Sequence, residues 1–223
     1  MKRRGKGTFL LMAQCATVFA VLIGYPAAAQ EAPQTLAREL LREMIETDTT
    51  GEHGDTTPLA NALAAQFRKA GYPAEDVQVL GPQTRHCNLV VRLRGSGRAR
   101  PILVISHLDV VEAKPEDWTV PPFNLTEKDG WLYGRGTQDI KGEAAAEVAS
   151  FLQLKQEGIV PKRDFILALT TGEEGGTFYN GVDWLLKNHR ELIDAEYCLN
   201  GIPMTWQPSP RTPSGMPSSI RRA

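Results

Sequence analysis

Two short runs, Ile102 to Ile105 and Phe165 to Thr170, are apolar almost throughout, and each leads straight into a polar cluster. A strand with one wet face alternates apolar and polar residues. A continuous apolar strand instead reads as buried on both faces, in a sheet covered by helices. The covering helices are legible too. Leu36, Leu40, Leu41, Met44 and Ile45 recur at helical spacing between Gln34 and Thr47. After a polar loop from Asp48 to Pro58, the residues Leu59, Leu63, Phe67 and Ala70 repeat that spacing and stop at Gly71, which tolerates the left-handed conformation of a helix end. Asn88 to Leu93 forms a further strand across the Gly95-Ser96-Gly97 turn from Ile102, and Trp131 to Tyr133 a short one. Gly142 to Gln156 is an Ala-rich helix and Gly181 to Asn188 another. Strands alternating with helices predict an α/β fold, a three-layer sandwich with a mainly parallel central sheet. With 223 residues, 42% hydrophobic and 23% charged, the chain has material for one sizeable core.

The two ends differ from this middle. Lys2, Arg3, Arg4 and Lys6 precede a short apolar run from Phe9 to Ile23, interrupted by Gln14 and Thr17, and then Ala27-Ala28-Ala29. Basic, apolar and small segments in that order predict a secretory signal peptide over 1–29 and a periplasmic or secreted product. The apolar run is too short for a good membrane span, so no stable span is expected after cleavage. Cys87 and Cys198 then remain, far apart in sequence and without closely spaced thiol or imidazole partners, and are read as structural thiols. Residues 201–223 hold five prolines among Ser, Thr and Arg without periodicity, which predicts a disordered tail. A Pro-rich ligand segment and the foreign end of an interrupted gene share that composition. The folded part is therefore expected over 30–200. A net charge of −1 with no basic block gives no reason to expect nucleic acid as a partner.

Three motifs carry the chemistry: Ser106-His107-Leu108-Asp109, Gly134-Arg135-Gly136-Thr137-Gln138-Asp139-Ile140-Lys141-Gly142, and Thr171-Gly172-Glu173-Glu174-Gly175-Gly176. The first and third follow the apolar strands, and the carboxyl ends of strands in α/β sheets open onto one crevice. His107 alone reads equally as a hydrogen-bonded structural histidine; Asp109, two residues on, makes it a ligand candidate with an orienting carboxylate. Asp139 either caps the helix that begins near Ile140 or, in its glycine-rich frame, approaches a bound ion. Glu173 and Glu174 repel each other unless water screens them or a cation relieves them. With a metal nearby, one acid can bind it while the other acts as a general base on water.

Together the motifs resemble those of the dinuclear zinc family of aminoacylases, glutamate carboxypeptidases, carnosinase-type dipeptidases and succinyl-diaminopimelate desuccinylase. The resemblance runs from about Gln34 to Asn200 and includes Trp118, Pro121, Pro122 and Phe123 between motifs. It implies the zinc exopeptidase-like fold and Zn²⁺ as cofactor, with His107 and Glu174 as zinc ligands and Asp139 as bridging carboxylate. It further implies that Asp109 orients His107 and that Glu173 is the general base in hydrolysis of an amide bond. The substrates it implies are small peptides or N-acyl amino acids. The chain also departs from the pattern. Where the family carries an acid after a strand, in sequences like Leu-Asn-Glu-Gly, Leu199-Asn200 is followed by Gly201. Glu196 lies earlier, in the expected strand, and is not promoted to ligand; His53, His86 and His189 read as surface or loop histidines. The lid or dimerisation domain and the late His of the family find no place in the sequence, so an incomplete catalytic domain with impaired activity is expected. A non-catalytic metal-binding or interaction protein, or an inert gene remnant, is the alternative.

Overall fold

The apolar stripe of the first helix and the continuous apolar strands set the architecture seen in a computed structural model, which describes residues 28–51, 53–174 and 179–201, with side chains from residue 34 onward. The expected signal segment, apart from its last two residues, and the tail beyond Gly201 lie outside the described residues, as do Gly175 and Gly176. Helices α1 (Ala28–Glu46) and α2 (Thr56–Lys69) come first, and Asp55 caps α2 by accepting from the Thr57 N–H. Strands β1 (Val77–Gln83), β2 (His86–Leu93) and β3 (Ala99–His107) follow. A small hairpin, β4 (Thr126–Lys128) and β5 (Trp131–Tyr133), turns on Asp129 and Gly130, both at positive φ, the backbone that a two-residue Asp-Gly turn adopts. Helix α3 (Lys141–Gln156), strand β6 (Arg163–Thr170), helices α4 (Gly181–Asn188) and α5 (Arg190–Ile193), and strand β7 (Tyr197–Asn200) complete the order.

The central sheet runs β1-β2-β6-β3-β7. Its β6–β3–β7 side is parallel and its β1–β2–β6 side antiparallel, so the sheet is mixed, with the parallel half at the site. β2 and β3 flank the Gly95 turn without pairing, because β6 enters between them. The turn is locked beneath it: the Gly95 N–H donates to Asp164, and a Cβ on Gly95 would strike the Arg163 carbonyl. β1 was not legible from periodicity, since Gly81-Pro82 interrupts it. It is the edge strand beside β2, where a proline costs no ladder bond and the register is irregular between Leu80 and Gln83.

Alternate residues of β2 and β6 face opposite layers. Leu89, Val91, Leu167 and Leu169 meet α1, α2 and α3 through Met44, Leu63, Phe67 and Val148, all fully buried. Val90, Ile166 and Ala168 meet Leu185 of α4 and Ile193 of α5 on the other side. The result is three layers, helices on both faces of one sheet. Each fully buried Leu or Phe contributes roughly 1.5–3 kcal/mol. Among the described residues no helix is long and apolar enough to cross a membrane.

Candidate metal centre

Parallel pairing of β3 with β6 sets His107 opposite Thr170, and the Leu108 N–H donates to the Thr170 carbonyl at 2.7 Å. Two strand ends therefore deliver their polar clusters side by side. After Thr170 the chain turns through Gly172 at φ +75°, where a Cβ would collide with the Tyr179 carbonyl, so only glycine lets the turn close. Glu173 and Glu174 follow on that turn.

His107 is 7% exposed. Its Nδ1 lies 2.9 Å from the carbonyl of Asp109, and a carbonyl only accepts, so Nδ1 carries the proton and Nε2 presents its lone pair. Asp109 thus holds the imidazole through its backbone. Its buried carboxylate has a different partner: Oδ2 accepts from the Glu174 N–H at 2.9 Å, while Oδ1 stands 3.7 Å from Nδ1 and has no hydrogen bond. The side chain expected to orient His107 instead holds the Glu174 N–H, and the imidazole is held by the Asp109 backbone.

Nε2 faces Asp139 Oδ1 at 3.2 Å. With Nδ1 protonated, that contact sets a lone pair against a carboxylate, an arrangement that a cation between them makes favourable. Asp139 does not cap α3; the capping position is Ile140, which makes no side-chain cap bond. The Asp139–Ile140 peptide is cis. Gly136, at φ +91°, lets this loop close on itself: a Cβ would lie 2.8 Å from Val110 Cγ1 and 3.1 Å from Lys141 Cδ.

Donor atoms of His107, Asp139 and Glu174 all lie within 4.8 Å of one another. Ligands about 2.1 Å from a tetrahedral ion stand about 3.4 Å apart, so His107 and Asp139 already have that spacing and Glu174 needs a shift of at most about 1.5 Å. Glu174 is partly buried, and its carboxyl is pushed up by desolvation and by the Asp139 charge, with His107 acting against them. Imidazole and carboxylate donors, crowded negative charge and an orphaned buried oxygen on Asp109 fit a divalent cation. Glu173 is the open member of the pair: its side chain is 60% exposed, and Oε2 lies 3.8 Å from Nε2.

Four features escaped the sequence. Ser106 Oγ donates to Glu147 Oε2 at 2.8 Å, and the Glu147 carboxyl is pushed up to about 7 by burial, against the Ser106 bond and with the Glu143 charge adding to the rise. Lys141 is fully buried, with its ammonium pulled down to about 7 by desolvation, against the charges of Asp48 and Asp109. Gly201 lies where a Cβ would collide with the Glu143 carboxylate, so the α3 acid fills the space of a side chain at 201. The i, i+4 spacing of Glu143 and Glu147 was the available signal for an acidic face on α3. His86 is no loop histidine: it opens β2 and stacks on Tyr179 with ring centroids 4.4 Å apart. His53 is exposed, and His189 ends α4 near Glu191. Glu196, just ahead of β7, pairs with Arg163 at 2.9 Å. Cys87 and Cys198 are both free thiols, and Cys198 is exposed.

The chain is also similar to known proteins. Residues 103–211 match the model of Peptidase family M20/M25/M40. The succinyl-diaminopimelate desuccinylase of Delftia acidovorans is 37% identical over 145 residues, 63% of this chain and 37% of that protein. A Staphylococcus epidermidis protein named "Probable succinyl-diaminopimelate desuccinylase" is 46% identical over 138 residues, 60% of this chain and 32% of that one. The chain thus spans about a third of the length of the curated relatives it matches. Human carnosine dipeptidase 1 shares the fold at TM-score 0.61 and 18% identity, over 78% of this chain and 41% of that one. The M20 family metallo-carboxypeptidase Sso-CP2 of Sulfolobus solfataricus does so at 0.61 and 22%, over 74% and 36%. Over residues 103–211 the chain resembles Peptidase family M20/M25/M40, and its layered fold is shared with human carnosine dipeptidase 1.

Proposed function

We propose that the chain is the metal-bearing part of an exported, zinc-dependent hydrolase of amide bonds in small peptides or N-acyl amino acids. The observation that carries this reading is the 3.2 Å approach of His107 Nε2 to Asp139 Oδ1, with Glu174 alongside. His107, Asp139 and Glu174 are the residues that would hold zinc. A bound zinc ion supplies a Lewis acid that polarises an amide carbonyl. Glu173, open to solvent beside these ligands, takes a proton from the attacking water as its oxygen bonds to the carbonyl carbon. The same carboxyl then gives that proton to the amine nitrogen as the C–N bond breaks. Asp109 keeps both partners aimed, its carbonyl on the imidazole and its carboxylate on the Glu174 N–H. Relatives named for desuccinylation and dipeptide cleavage support the substrate class. The basic, apolar and small segments over residues 1–29 support export.

A second reading, metal binding without turnover, is favoured by one observation, the absence of a side chain at Gly201. The two separate in one assay: purified protein with zinc against dipeptides and N-acyl, including N-succinyl, amino acids. Hydrolysis is expected below about 1 per second, abolished by chelator, and reduced about 100-fold or more in Glu173→Gln with zinc content unchanged. Zinc bound with no turnover selects the second reading. Turnover that survives chelator or Glu173→Gln overturns the first.

A further inference from the structure

We infer that Lys141 is a positioning residue of the metal centre, its buried ammonium tying the end of α1 to the Asp139 turn and so holding Asp139 in register with the His107–Asp109 strand end. The inference rests on the proposed metal reading. Lys141 is fully buried, yet its hydrogen-bond acceptors are neutral: Nζ donates to the Met44 carbonyl at 2.6 Å and to the Thr47 carbonyl at 3.3 Å. The Met44 carbonyl belongs to the last turn of α1, which leaves its final carbonyls without partners, and Thr47 directly follows the helix, so both acceptors lie at the negative end of its dipole.

The tie continues in both directions. Toward Asp139, the Lys141 N–H donates to the Gly136 carbonyl at 2.8 Å, and its Cδ and Cγ run beneath Gly136, 3.1 and 3.4 Å from where a Cβ would stand. The loop that begins at Gly136, carries Asp139 and ends at Lys141 is therefore closed at its base by Lys141. Toward His107, the segment after α1 brackets Asp109. Thr49 Oγ1 donates to the Leu108 carbonyl at 2.8 Å, the Val110 N–H donates to the Thr49 carbonyl at 3.1 Å, and Thr50 bridges Val110. Asp48 holds Thr50 through both its N–H and its hydroxyl. Lys141 thus links the loop that carries Asp139, through the end of α1 and Thr49, to the strand end that carries Asp109. A buried ammonium is costly to desolvate, and an apolar residue of the same length would fill the space while leaving the two untied.

The test uses the full chain and two readouts. Zinc affinity is measured by competition with a chromophoric chelator, and amide exchange at Val110 is followed in zinc-free protein. Lys141→Met keeps the volume and removes the donors; it is expected to weaken zinc about 10–100-fold, the range for loss of a group that orients metal ligands, and to speed Val110 exchange at least about tenfold, the opening of one hydrogen-bonded segment. Lys141→Gln, which retains a donor, is expected to fall between and takes over the test if Lys141→Met does not fold. Leu40→Ala, which destabilises α1 within the core without touching the tie, is expected to leave the zinc affinity of folded protein unchanged. Equal zinc affinity and equal Val110 exchange in Lys141→Met overturn the inference, as does a matching loss of affinity in Leu40→Ala. Wild-type protein that binds no zinc overturns the metal reading itself.

Discussion

Glu147→Gln is predicted to make folding less sensitive to pH, because Glu147 is the carboxyl whose proton the fold most clearly retains. In the folded chain it sits partly buried, four residues from Glu143 on the same helix face, and its pKa rises from 4.5 to about 7. Burial is the larger cause and the Glu143 charge adds to it, while the Ser106 hydroxyl works against both. Between these two values the folded state binds more protons than the unfolded state. Its contribution is therefore fully present below about pH 4.5 and is lost as pH rises through about 7. A displacement of that size corresponds to roughly 3 kcal/mol, an upper figure because the carboxyl keeps some contact with water. Gln removes the titration and can still accept from Ser106. In urea denaturation at pH 4.5 to 8, with chelator present throughout, the stability of Glu147→Gln relative to wild type should climb by about 2–3 kcal/mol and level off above pH 7.5. Other titrating groups cancel in the difference. A difference independent of pH would refute the assignment of a retained proton to Glu147.

Two further outcomes follow from the glycine frame and the filled space at 201. Gly136→Ala meets Val110 and Lys141 at a backbone that L residues rarely adopt; it should lower stability by about 1–3 kcal/mol and weaken zinc, and wild-type behaviour in both would contradict the account of that loop. Gly201→Glu must displace the Glu143 side chain, which is exposed and free to swing. If position 201 serves the site, that variant should raise the zinc stoichiometry above wild type, as read by metal analysis after gel filtration; an unchanged stoichiometry would count against it.

Much of this was legible in the sequence, and the limits have physical causes. Continuous apolar runs at Ile102–Ile105 and Phe165–Thr170 announced buried strands, and the polar residues after them could only emerge at strand ends. Periodicity does not reveal strand order. It gave no sign that β6 separates β2 from β3, or that Gly81-Pro82 interrupts a real edge strand. The site showed the same divide. His107, Asp139 and Glu174 stood in recognisable motifs, and the fold brings them together. The division of labour within Asp109, carbonyl to His107 and carboxylate to Glu174, depends on how the chain bends after β3, which no spacing encodes. The sequence marked Lys141 only by its place in the second motif. Its burial depends on where the last turn of α1 lies, with the Met44 carbonyl 97 residues earlier in the chain.

The most direct test of the central claim is calorimetric titration of zinc into chelator-stripped wild-type protein and into His107→Ala, with folding of both verified by circular dichroism. Wild type is expected to bind zinc, and removal of the imidazole is expected to cost at least about tenfold in affinity. A folded wild-type protein that takes up no zinc, or a His107→Ala variant that binds it equally well, would contradict the assignment of His107, Asp139 and Glu174 as a metal centre.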